Sequence, residues 1–194
     1  MANKVKYGLS NVYYAVATIS TSGTASYGTP TAIPGAVNLS LDPQGDQNPF
    51  YADNVKYYIT NSNSGYEGDL EIALIPDSFR EDVLGDVKDD NDVYVEVTDA
   101  EATPFALLFQ FEGDKKGTRY ALYNCTAKRP NISGATKEDA TEVQTETLSL
   151  SAASVYNSSL QKNVVKAVCL NDGASTTTYS GWNTSVYQPI AATT

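Results

Sequence analysis

Hydrophobic and polar positions alternate with period two along most of this chain, and that period predicts strands. From Tyr66 to Leu74 the even positions are Tyr, Gly, Leu, Ile and Leu, while the first odd positions are Glu67, Asp69 and Glu71. One face of that strand is therefore apolar and the other carries carboxylates spaced roughly 7 Å apart. Val37, Leu39 and Leu41 alternate with polar residues, as do Val55, Tyr57 and Ile59, and Val93, Val95 and Val97. NVYYAVATI (11–19) is rich in β-formers. PFALLFQF (104–111) is apolar almost throughout, which predicts a strand buried on both faces. GDKKG (113–117) then leads into TRYALYNCTA, the pattern of a hairpin with a Gly-bounded loop. EVQTETLSL (142–150) and NVVKAVCL (163–170) complete the set of strands.

One short helix interrupts the strands. Ser78 and Glu81 stand at capping-box spacing, Pro76 precedes them, and Gly85 follows Val83-Leu84 as a stop. Phe79, Val83 and Leu84 would then face the sheet. The expected architecture is mainly β: two packed antiparallel sheets with one short flanking α-helix. Residues 1–170 form the sandwich domain, and 171–194, polar and rich in Ser and Thr, form a C-terminal arm whose Trp182 and Tyr187 are expected contact residues.

The stretch DPQGDQNPFYADN (42–54) breaks the period. Its prolines Pro43 and Pro49, its aspartates Asp42, Asp46 and Asp53, and its lack of any base predict a long loop rather than a strand. Phe50 and Tyr51 do not suit a purely solvated loop and call for something to pack on.

Charge narrows the function. With 194 residues, 23 acids and 13 bases, the chain carries a net charge of −10 and is a poor binder of phosphate backbones. It has no histidine, so the commonest general base and zinc ligand is missing. DVKDDND (86–92) lacks the Gly and the distal Glu of an EF-hand loop and reads as a solvated turn. No catalytic site, metal or cofactor is expected. Cys125 and Cys169 lie in apolar runs and are expected as buried thiols. MANKVKYGLS has no apolar core after its lysines, and no run reaches the ~20 apolar residues of a membrane span, so a cytoplasmic product without membrane insertion is expected. Glu142 and Glu146 share a face of their strand, as Glu67, Asp69 and Glu71 do of theirs. Like charges so placed cost free energy. They fit either a hydrated sheet face or a surface selected to be negative.

Ordered landmarks run from about residue 7 to 189: GLSNVYYA, PGAVNLSLDPQGDQNPFYADN, SGYEGDLEIALIPDSFREDVLG, FALLFQFEGDKKGTRYALYNCTAKRP, TEVQTETLSLSA and GWNTSVYQP. In them the chain resembles the major tail proteins of long-tailed bacteriophages, of the phi13 type. The resemblance implies a tail-tube-type sandwich and a structural virion protein whose hexameric rings stack into the tail tube, with an acidic channel through which DNA passes during ejection. It implies assembly in the host bacterial cytoplasm, with tape-measure, tail tip and tail terminator proteins as partners. Glu67, Asp69, Glu71, Glu142 and Glu146 would face the lumen. The segment holding Asp42, Pro43, Asp46, Pro49, Phe50, Tyr51 and Asp53 would reach the next ring. Two rival readings fit the residues alone: an acidic β-sandwich adhesin or carbohydrate-binding module, and a carboxylate-based hydrolase.

Overall fold

The computed structural model describes residues 5–114, 116–136 and 143–191. Its strands are β1 (Tyr7–Ile19), β2 (Ala25–Tyr27), β3 (Thr31–Ala32), β4 (Ala36–Gln44), β5 (Gln47–Ala52), β6 (Val55–Asn61), β7 (Gly65–Ile72), β8 (Val87–Lys88), β9 (Tyr94–Val95), β10 (Phe105–Glu112), β11 (Arg119–Ala127), β12 (Glu146–Ala153), β13 (Val155–Asn157), β14 (Lys162–Val164) and β15 (Lys166–Cys169). The main path runs β2-β1-β10-β11-β12-β7-β4, every pairing antiparallel, and does not close into a barrel. This is the expected mainly β fold, with its two layers joined through β11. The first half of β11 (Arg119 to Leu122) pairs with β15, and its second half (Asn124 to Ala127) pairs with β12.

The two layers, β1-β10-β11 and β12-β7-β4, bury Tyr14, Phe105, Leu107 and Leu122 against Leu70, Ile72 and Leu148. The opposite face of β10 and β11 is covered too. Ala106, Leu108, Ala121 and Tyr123 pack there with Trp182 and Val186. Both faces of PFALLFQF are thus buried, as its unbroken apolar run predicts. The polar composition of residues 171–191 hides this role. A five-residue helix α2 (Thr176–Ser180), capped by Ser175 Oγ on the Thr178 N–H, delivers Trp182 into the second core. Trp182 is 2% exposed, stacks on Tyr187 at 5.5 Å, and donates from Nε1 to the Tyr120 carbonyl at 3.3 Å.

The helix α1 (Asp77–Phe79) continues into a π-helical turn, Arg80–Leu84. Phe79, Val83 and Leu84 are buried, as their spacing predicts. The expected cap is displaced. Pro76 takes the N-cap position, so Ser78 lies inside the first turn and makes no capping bond. Gly85 ends the segment in the left-handed region, at φ 78°.

Three strand expectations change. A bulge between Ala36 and Asn38 turns Val37 outward, leaving it 53% exposed. The Val93–Val97 run contributes only β9 to a short exposed ribbon with β8. The strand expected from Glu142 begins at Glu146 among the described residues.

Cys125 and Cys169 are free and buried, and burial pushes the Cys125 thiol up to about 12. In the β10–β11 turn, Asp114 accepts from the Thr118 hydroxyl and from the N–H groups of Lys116 and Thr118. These bonds, that from the Thr118 side chain first, hold its carboxyl below the usual range. A depressed carboxylate stabilises the turn above its unfolded value near 3.9, and that contribution disappears as pH falls through the lower folded value. Amide exchange at Lys116 and Thr118, read with the intrinsic rate divided out, should therefore lose protection only below about pH 4, and Asp114→Ala, which removes the acceptor, should lose it at every pH.

Candidate assembly surface

The antiparallel register assigns the outer face of β4-β7-β12 residue by residue. Asp42, Ser40 and Asn38 of β4 stand opposite Glu67, Asp69 and Glu71 of β7, which stand opposite Ser151, Ser149 and Thr147 of β12. Directly opposed residues share a face, so among the described residues the three strands present four carboxylates and no base here, with Lys128 at the margin beside Ser149. Part of the repulsion is offset locally. Ser149 Oγ donates to Asp69 at 2.8 Å and Thr145 Oγ1 donates to Glu71 at 2.7 Å. Asp42 and Glu67 form a directly opposed like-charge pair, an arrangement that costs stability.

Asp42 is the residue that sequence reasoning placed elsewhere. It reads as loop because Pro43 follows it, whereas β4 runs on to Gln44. Glu146 is the opposite correction. It stands across from Ile72, on the core side of the sheet, so it does not belong to the acidic face. Its carboxylate accepts from the Ile75 N–H at 2.7 Å and meets Arg80 at 3.5 Å, tying β12 to the helix. The cause is register: parity along one strand cannot tell which face its neighbour presents. Glu142 lies outside the described residues.

The stretch 42–54 is also not a loop. Asp42 and Pro43 lie on β4, Asp46 lies in the short link between β4 and β5, and Pro49, Phe50 and Tyr51 lie on β5, which pairs with β6 as a separate two-stranded ribbon. Asp53 and Asn54 form its tip at φ 51° and 62°, the positive values that a two-residue type I′ hairpin turn demands. Pro49 fits because both strands of a ribbon are edges. At the base, Gly45 has φ 154°, and a Cβ there would stand 2.1 Å from the Ser62 carbonyl oxygen, so no other residue fits.

The ribbon touches little of its own subunit. Phe50 and Tyr51 are each 61% exposed, and Tyr57, Tyr58 and Val55 are comparably open. Isolated two-stranded hairpins are marginal in water, and contiguous exposed apolar side chains mark contact surfaces. The alternation of Val55, Tyr57 and Ile59 signals the strand correctly but not its exposure. The remaining sequence candidates behave differently. In the 86–92 run, the Asp89 carboxylate is occupied by the N–H groups of Asn91 and Val93 at 2.8 and 2.9 Å, an ordinary turn. Tyr187 packs with Trp182 on the second core.

Comparison with known proteins adds three findings. The sequence matches the family described as "Phage tail tube protein" over residues 2–120. No curated protein matches it. Among solved structures, the fold is similar to a chain in the cryo-EM structure of the anti-feeding prophage tube-terminating cap, with a TM-score of 0.51 at 8% identity, covering 88% of this chain and 95% of that one. A chain of the anti-feeding prophage baseplate aligns at a TM-score of 0.47 and 12% identity, over 88% of this chain and 98% of that one.

Proposed function

From the premise that the chain belongs to the phage tail tube protein family, a structural and not an enzymatic family, we propose that it forms hexameric rings that stack into the tube of a long-tailed phage, and that Asp42, Glu67, Asp69 and Glu71 line the channel crossed by DNA during ejection. One observation carries this reading: a sheet face, open to solvent in the subunit, whose described residues on β4, β7 and β12 concentrate carboxylates without a base. Such a face has a cost in the free subunit. In a tube it gives a negative wall, whose field repels phosphates and keeps the DNA from sticking. The exposed hairpin supplies the contact between rings. Tape-measure, tail tip and tail terminator proteins are the remaining partners of such a tube. The described C-terminal residues, 171–191, act in this reading as an arm seated on their own subunit, where Trp182 and Tyr187 cover the outer face of β10 and β11.

Negative-stain microscopy of the purified protein tests the class. Rings or tubes are expected, and uniform small particles at every concentration overturn the reading. The channel assignment has its own test. Glu67→Lys with Asp69→Lys leaves the sheet folded, because both side chains are exposed. Virions built from it should release DNA at least tenfold more slowly when triggered, with the defect relieved by salt as phosphate contacts are screened. Release at the wild-type rate would place this face outside the channel.

A further inference from the structure

We propose that a groove between the two sheet layers is the receptor for the hairpin tip of a second copy of this chain, with Tyr51 entering it and the Asp53 carboxylate meeting Lys6 and Lys166. The inference rests on the stacking reading above and names its contact. The groove, half open to solvent, offers about 180 Å³ and is lined by Tyr66, Phe109, Phe111 and Tyr120 together with Lys6 and Lys166. A cavity of about 150 Å³ with apolar walls accepts a benzene ring, so one aromatic side chain fits here.

The rim supplies the specificity. Lys6 Nζ lies 4.4 Å from the Phe111 ring centroid, and Lys166 Nζ lies 4.7 Å from that of Tyr66 while donating to its hydroxyl at 2.8 Å. Each ammonium is thus held beside an aromatic wall. Among the described residues neither lysine pairs with a carboxylate, in a chain where acids outnumber bases 23 to 13. The occupant should therefore bring a ring and a carboxylate close together. The hairpin tip does: Tyr51 is 61% exposed, and Asp53 follows two residues later in the turn. The subunit's own hairpin leaves these side chains open to solvent, which assigns the groove to another copy.

Charge reversal tests the pairing. Lys6→Glu with Lys166→Glu should raise the concentration needed for assembly at least tenfold, as should Asp53→Lys, with monomer melting curves unchanged. Combining all three substitutions should recover assembly, since the opposed charges are exchanged. Zero-length carbodiimide coupling of wild-type tubes, made from a mixture of isotopically light and heavy chains, should join Asp53 of one copy to Lys6 or Lys166 of another. Tubes that form normally with the lysines reversed, a triple variant that fails to recover, or wild-type tubes without that cross-link would each overturn the contact while leaving ring stacking intact. A wild-type protein that stays monomeric would overturn stacking, and this contact with it.

Discussion

Replacing Phe50 and Tyr51 together with alanine should leave the free subunit folded and end its stacking into long tubes. Both side chains stand on the β5–β6 ribbon and are 61% exposed, so their removal opens no cavity in the subunit. Burying one such side chain against a neighbour stabilises the contact by roughly 1.5–3 kcal/mol. In the hexameric ring proposed above, twelve such side chains would meet at each junction, so the loss would be on the order of 20 kcal/mol after allowing for the ordering cost of each hairpin. Pre-formation as a ribbon, with a type I′ tip and Gly45 at its base, keeps that ordering cost low. Thermal melting beside negative-stain microscopy reads both halves of the expectation. Unfolding of the variant subunit would place these aromatics in the core, and normal long tubes would place stacking elsewhere.

The second large effect lies in the subunit itself. Phe79→Ala should destabilise the fold by about 3–5 kcal/mol. Phe79 is 1% exposed and meets two rings edge-on, Tyr14 at 5.0 Å and Phe105 at 5.4 Å. Its loss leaves a cavity between the helix and strands β1 and β10 and removes two aromatic pairs. The Tyr14 hydroxyl donates to Asp82 at 2.8 Å, so the same cavity loosens the tie between β1 and the π-turn. A melting temperature lowered by roughly 10 °C is expected for a chain of this size. A shift within a degree would mean that the helix is not part of the cooperative core.

Local signals in the sequence predict the parts of this fold that local chemistry decides. The apolar run 104–111 specifies a strand covered on both faces, and the Gly85 stop is found where it was expected. The face of Glu67, Asp69 and Glu71 follows from period two alone. The failures are non-local. Glu146 has the same local appearance as the acidic-face residues, and only its pairing with Ile72 puts it on the core side. Residues 42–54 read as a loop because proline and aspartate are depleted in sheets on average. A two-stranded ribbon at the edge of a molecule is where that average fails, and Asp53-Asn54 was the turn signal that could have found it. Trp182 stands out in the sequence as a contact residue, but nothing local names its partners Ala106 and Leu108, which lie far back in the chain.

The wall shared by two cores also orders events in time. β10 and β11 are made well before Trp182 and Val186, so during synthesis their rear face, with Ala106, Leu108, Ala121 and Tyr123, has only part of its cover, such as Tyr27 beside Tyr123. A nascent subunit therefore carries a sticky back until its last described segment emerges and seats. Interruption of translation before that point would yield chains that adhere through the wrong side. A subunit in which Trp182 and Val186 have seated hides that back while its hairpin stays exposed.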